Sequence, residues 1–138
     1  MERDSRLVVE LLKASRTILS SIAYICKDVG LTADEWLALN ALVEHEDLSM
    51  TSLSGYTGVS GASLTRMVER MAVNSLVVRA ECSFDRRQTR VHITSRGRQT
   101  YGFISPQIIA LEHEVHRTLV AWYDRDPKKI GELLEHGH

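Results

Sequence analysis

Between Ser60 and Arg98 the chain holds eight arginines, Arg66, Arg70, Arg79, Arg86, Arg87, Arg90, Arg96 and Arg98, against three carboxylates, Glu69, Glu81 and Asp85. That stretch is formally +5. The remaining positions carry nine basic and fifteen acidic residues, −6, so the whole chain comes to only −1. A near-neutral total therefore hides a segregated cationic segment. Arginine neutralises phosphate and can fork onto the edge of a guanine, so a local basic surface of this kind suits nucleic acid whatever the whole-chain pI.

Other chemistries find less support. There is no phosphate-binding glycine loop, no nucleophile elbow and no convincing metal set, so no catalytic residue, no cofactor and no metal is assigned and an enzyme is not expected. Glu112, His113 and His116 share a helix face by spacing, but two histidines fall short of the four ligands of a closed zinc site. They read as exposed side chains, and His136 and His138 as a terminal tail. Cys26 and Cys82 are far apart and form no CxxC, which excludes a disulfide framework or a zinc ribbon and leaves buried or inert thiols. Tyr24 and Trp36 could line a pocket for a small-molecule effector, although aromatics at helical spacing are more often core.

At 138 residues with 43% apolar composition, the chain fits one folded unit with extended additions and leaves no room for a separate catalytic domain. No apolar run approaches the roughly 20 residues of a membrane span, and no signal-peptide core follows the polar first residues. A cytoplasmic protein without membrane association is the expectation.

The elements that would position the arginines follow from periodicity. Leu7, Leu11, Ile18, Ile22, Ile25 and Val29 recur on one face of a long first helix, stopped by Gly30 as a C-terminal cap. Thr32 to Glu35 is a capping box that opens a second helix with Trp36, Leu39, Leu42 and Val43 on its apolar face, and residues 45–47 end it in solvent. Ser49 caps a short third helix with Leu53 and Tyr56 inward. A turn at Thr57 to Ser60, with Ser60 as a fresh N-cap, leads into a fourth helix from about Gly61 to Val73 that buries Leu64, Met67, Val68 and Met71. Residues 76–82 and 89–94 are β-rich and pair as a hairpin across the loop from Ser83 to Gln88. From Ser95 a helix of roughly 25 residues returns with Phe103, Ile104, Ile108, Leu111, Val115, Leu119 and Trp122 as its stripe, at the 3.6-residue period. Asp126 and Pro127 restart a last helix with Ile130, Leu133 and Leu134 on its apolar face.

Two short helices around a glycine-containing turn form a helix-turn-helix, whose second helix can enter a major groove, and a hairpin directly after it is a wing. The fold class expected is mainly α with a small β-hairpin wing: a winged helix-turn-helix core between long N- and C-terminal helices. Those long helices carry more apolar surface than so small a core can cover, which points to a two-fold partner.

Four features stand in order: Gly30, Leu31 and Thr32 before Trp36 and Leu39; the run from Ser63 to Met71 with Thr65 and Arg66; Leu76 to Arg79; and Asp85, Arg86 and Arg87 followed by Ile93, Thr94, Ser95, Arg96 and Gly97. Together they resemble the MarR family of winged helix-turn-helix regulators over nearly the whole chain. The resemblance implies a single MarR-like chain, residues 1–138, with 31–95 as the DNA-binding region and 1–30 and 96–138 as dimerisation helices. It implies a homodimeric transcriptional regulator, most often a repressor, on a pseudo-palindromic operator in double-stranded DNA, modulated by a small molecule or another signal. The alternative is a winged-helix interaction module without DNA binding. One departure is Asn74 and Ser75 where the family commonly has glycine after the fourth helix; a kept turn with a shifted cap is expected. The family's peroxide sensors resemble one another in a cysteine near the start of the first helix, whereas Cys26 lies near its end.

On this reading Ser60, Gly61, Ser63, Thr65, Arg66 and Arg70 face DNA from the fourth helix. In the wing, Arg87 enters a minor groove by resemblance to the second arginine of the family motif, Asp85 orders the loop by pairing with an arginine, and Arg86 and Arg90 meet phosphates.

Overall fold

The computed structural model describes residues 2–81 and 89–125, together with Lys128 and Glu135. The chain divides into two compact units, Met1–Ser105 and Pro106–His138. The wing loop with Asp85, Arg86 and Arg87, and the last apolar positions Ile130, Leu133 and Leu134, lie outside the described residues.

In the first unit, α1 (Glu2–Cys26) passes through a 3-10 turn (Lys27–Val29) to Gly30, which adopts φ +71° and donates its N–H to the carbonyl of Lys27. The left-handed conformation there explains the glycine. Leu7, Leu11, Ile18, Ile22, Ile25 and Val29 form the less exposed face of this run, and Cys26 joins Ile22 in being buried. Next comes α2 (Ala33–His45), opened by the expected capping box: Thr32 Oγ1 accepts from the Glu35 N–H at 3.1 Å and the Glu35 carboxylate accepts from the Thr32 N–H at 3.0 Å. Such a cap is worth about 0.5–2 kcal/mol.

The end of α2 differs from expectation. Instead of running out into solvent, Glu46 turns through φ +65° into a strand, β1 (Asp47–Ser49). Three residues without a β-branched member carry no period of their own. They become a strand because β3 (Arg90–Ile93) offers a partner, with Asp47 opposite His92 and Ser49 opposite Arg90. The sheet is therefore three-stranded and antiparallel in the order β1-β3-β2, β2 being Val77–Ala80. The hairpin read from the sequence is its β2-β3 part.

Ser49 caps α3 (Met50–Thr57), accepting from the Ser52 N–H at 3.1 Å. Leu53 is fully buried as expected, but Tyr56 is 52% exposed and leans on the His45 ring at a centroid distance of 5.1 Å. The expected inward Tyr56 is corrected by geometry: three residues on from Leu53 it stands about 60° round the helix axis, far enough for its ring to leave the core. After α4 (Gly61–Val73), the turn is kept as expected, with Ser75 taking the left-handed conformation at φ +60° while Asn74 stays at φ −83°. The Leu76 N–H bonds back to the Met71 carbonyl at 2.9 Å and the Ser75 N–H to Ala72 at 3.0 Å, a Schellman-type ending that satisfies carbonyls a helix would otherwise leave orphaned. The core of this unit is a layer of Leu39, Leu42, Leu53, Met67, Val68, Met71, Val91 and Ile104.

Helix α5 (Ser95–Arg125) is 31 residues long, beyond the 25 expected, and contains Pro106. Within the first unit Ile104 is buried while Phe103, expected beside it on the stripe, is 67% exposed; one residue is a 100° turn around the axis, so both cannot face the core. In the second unit Ile108, Leu111, Val115, Leu119 and Trp122 are half-exposed at spacings of three and four, and Ile109, Val120 and Tyr123 are exposed. No helix among the described residues is long and apolar enough to cross a membrane.

Candidate nucleic-acid interface

The turn between α3 and α4 is built by hydroxyls and two glycines. Gly58, at φ +73°, ends α3 with its N–H on the Ser54 carbonyl at 2.8 Å, while Thr57 Oγ1 donates to the Leu53 carbonyl and accepts from the Val59 N–H. Ser60 is extended in the N-cap position of α4, but its hydroxyl makes no capping bond, contrary to the cap expected of it. The first amides of α4 are thus not capped by that side chain. Gly61 begins the helix at φ +59°, with open space where a Cβ would stand, so glycine is needed there for its backbone and not for clearance.

Helix α4 is sharply two-sided. Leu64, Met67, Val68 and Met71 are buried, and Ser60, Gly61, Ser63, Thr65, Arg66 and Arg70 are all exposed. Thr65 Oγ1 donates back to the Gly61 carbonyl at 3.3 Å, and Arg66 Nη2 reaches Ser63 Oγ at 3.4 Å, a long bond that leaves the guanidinium in solvent.

Charge pairing separates the arginines that look alike in sequence. Arg79 lies 3.6 Å from Glu69, Arg98 lies 3.9 Å from Glu46, and Arg90 Nε donates to Asp47 at 2.5 Å. The hydrogen bond from Arg90 holds the Asp47 carboxyl below the usual carboxylate range; the positive charge of Arg90 and the neighbouring His92 act in the same direction, and desolvation opposes them. Arg66, Arg70 and Arg96 have no carboxylate partner among the described residues. Arg90, expected at a phosphate, is therefore held at the root of the wing by a carboxylate that sequence reasoning did not single out. Asp47 gives no local signal; its role exists only once β1 pairs with β3.

Away from this face, the Trp36 ring stacks on Tyr101 with centroids 6.4 Å apart and planes 12° from parallel, and the Tyr101 hydroxyl donates to Asn40 Oδ1 at 2.7 Å. The Trp36 indole Nε1 is buried and has no acceptor among the described residues. Tyr24, paired with Trp36 in the sequence reading, is 78% exposed on α1, so the ring beside Trp36 is Tyr101. Cys26 is buried, and burial followed by the nearby Glu35 charge pushes its thiol up to about 11. Among the described residues no group of histidines, cysteines and carboxylates could hold a metal ion.

The model of the MarR family matches residues 29–88, the stretch from the end of the first helical run into the wing. A homoprotocatechuate degradative operon repressor of Escherichia coli is 26% identical over 130 residues, 94% of this chain and 85% of that one. Through this central stretch the chain is similar to the MarR family. Two solved structures have its fold. BpsR of Bordetella bronchiseptica, whose DNA binding is regulated by 6-hydroxynicotinic acid, superposes with a TM-score of 0.74 at 19% identity, covering 89% of this chain and 98% of that one. A mutant MarR of E. coli in complex with operator DNA also gives 0.74 at 19% identity, covering 91% and 93%. The relatives are transcriptional regulators, and the two solved structures share the fold of this chain over most of its length.

Proposed function

We propose that this chain is a MarR-family homodimeric repressor that binds a pseudo-palindromic operator in double-stranded DNA through α4 and the wing, with a small molecule modulating the binding. The observation that carries this reading is the exposed face of α4: small polar side chains at its start, then Arg66 and Arg70 with no carboxylate partner among the described residues. Small residues let the backbone approach the duplex, and amides without a side-chain cap suit phosphate. Ser60, Gly61, Ser63, Thr65, Arg66 and Arg70 take the major groove; Arg87 takes the minor groove with Asp85 ordering its loop, and Arg86 and Arg90 take phosphates. Residues 31–95 act as the DNA-binding region and the flanking segments, 1–30 and 96–138, as the dimer. Val8, Val9, Leu12 and Leu19 of α1 and Ile109, Val120 and Tyr123 of α5 are exposed apolar side chains that a second copy would cover.

The effector site is centred on Trp36, whose buried, unpartnered indole N–H would be satisfied by an acceptor on the ligand; the stacked Trp36 and Tyr101 rings favour a flat, acceptor-bearing aromatic compound. Tyr24 belongs to this site only if the dimer brings it there. A cytoplasmic location and the absence of enzymatic activity complete the reading.

The test is selection of bound duplexes from a random library by the full-length chain, followed by titration across salt. A repressor of this type binds selected duplexes with half-sites about one helical turn, roughly 10 bp, apart, and its affinity falls steeply with salt. A chain that selects no duplex and shows no salt-dependent binding is an interaction module instead.

A further inference from the structure

The junction between the end of α4 and the start of α5 is closed by one hydroxyl. Thr94 Oγ1 donates to the Ser75 carbonyl at 2.6 Å and accepts from the Gly97 N–H at 2.9 Å. Its backbone takes part as well, the Thr94 N–H bonding to the Leu76 carbonyl at 3.1 Å and the Arg98 N–H to the Thr94 carbonyl at 3.0 Å. That same Leu76 carbonyl lies 2.3 Å from where a Cβ on Gly97 would stand. The first turn of α5 is thus pressed against the exit turn of α4 at a spacing only glycine permits.

Capping α5 explains half of this arrangement. An N-cap needs an acceptor, which serine, aspartate or asparagine also supplies. The donor bond to Ser75 serves a different element: it grips the left-handed residue of the turn that terminates the helix carrying Arg66 and Arg70. We propose that Thr94 is a positioning residue, linking the exit of α4 to the entry of α5 and so setting the separation of the two recognition helices in the dimer. The inference rests on the dimeric DNA-binding reading above.

The experiment uses the full-length chain and duplexes taken from the random selection, rebuilt as a series with the half-sites moved apart or together by one and two base pairs. Wild type is measured first; if it binds none of them with salt dependence, the DNA-binding reading fails before any variant is made. Thr94→Ser keeps both bonds. Thr94→Asp keeps the cap of α5 but cannot donate to Ser75, and its added charge weakens every duplex alike, leaving ratios between spacers untouched. The expected result is that the wild-type preference for one spacer over its neighbours drops about two- to tenfold in Thr94→Asp, the equilibrium weight of one hydrogen bond, and is retained in Thr94→Ser. Thr94→Val, which lacks both bonds at similar volume, reads the same ratio should the aspartate variant not fold. An unchanged spacer profile in the donor-less variants, including one in which all spacers weaken equally, overturns the proposal.

Discussion

Arginines of one type in one segment do unequal work. Arg66 is exposed on α4 and among the described residues makes only a long bond to Ser63, whereas Arg90 is tied to Asp47. Arg66→Ala should therefore lower affinity for a selected duplex by about 1–3 kcal/mol, and Arg90→Ala by less, since part of the Arg90 charge is already answered; equal losses in a fluorescence titration at moderate salt would contradict this ordering. Cys26 illustrates the opposite case, a group silenced by burial. Its thiol is protonated at neutral pH, so alkylating reagents should modify it only on unfolding. A pKa raised in the folded state means the stabilising contribution is complete below the unfolded value of 9.0 and is lost as pH rises toward about 11. The alkaline limb of a stability-versus-pH curve should accordingly be shallower in Cys26→Ala than in wild type. In sequence Cys26 read as an inert thiol because nothing paired with it, and its place on the inner face of α1 is what makes it so.

Turns and caps decide how the elements meet. Ser75 carries a conformation that costs an L-residue about 1–2 kcal/mol, so Ser75→Gly should raise the melting temperature, while Gly97→Ala should lower it by the equivalent of at least about 1–3 kcal/mol because its Cβ would meet a backbone oxygen. A lower melting temperature for Ser75→Gly, or an unchanged one for Gly97→Ala, would refute the account of the α4–α5 junction. The capping box at Thr32 and Glu35, the boundaries of α4 and its four buried residues were legible beforehand, because each is written in local chemistry: an acceptor three residues from a carboxylate, or a strong period of 3.6. β1 was not legible. Its residues prefer no strand by themselves, and its partner lies more than forty positions away. Asp47, Tyr101 and Asn40 were missed for the same reason, since their partners come from other elements. Tyr56 and Phe103 were misplaced because apolar character was read as inwardness, when each neighbours a residue better aligned with the core.

At the scale of the molecule, the exposed apolar side chains of α1 and α5 are more numerous than isolated surface residues need be. If a second copy covers them, stability is linked to association and the melting temperature rises with protein concentration. A concentration-independent melt, with a monomeric mass in analytical ultracentrifugation, would remove the dimer and with it the two-half-site operator. The pairing of β1 with β3 carries one more consequence. By hydrogen-bonding Asp47–Ser49 to Arg90–Ile93, it ties together the two ends of the stretch of chain that holds α3, α4 and β2. On the proposed reading these are the elements that meet DNA, so a signal that opened the seam would free both ends of that segment at once.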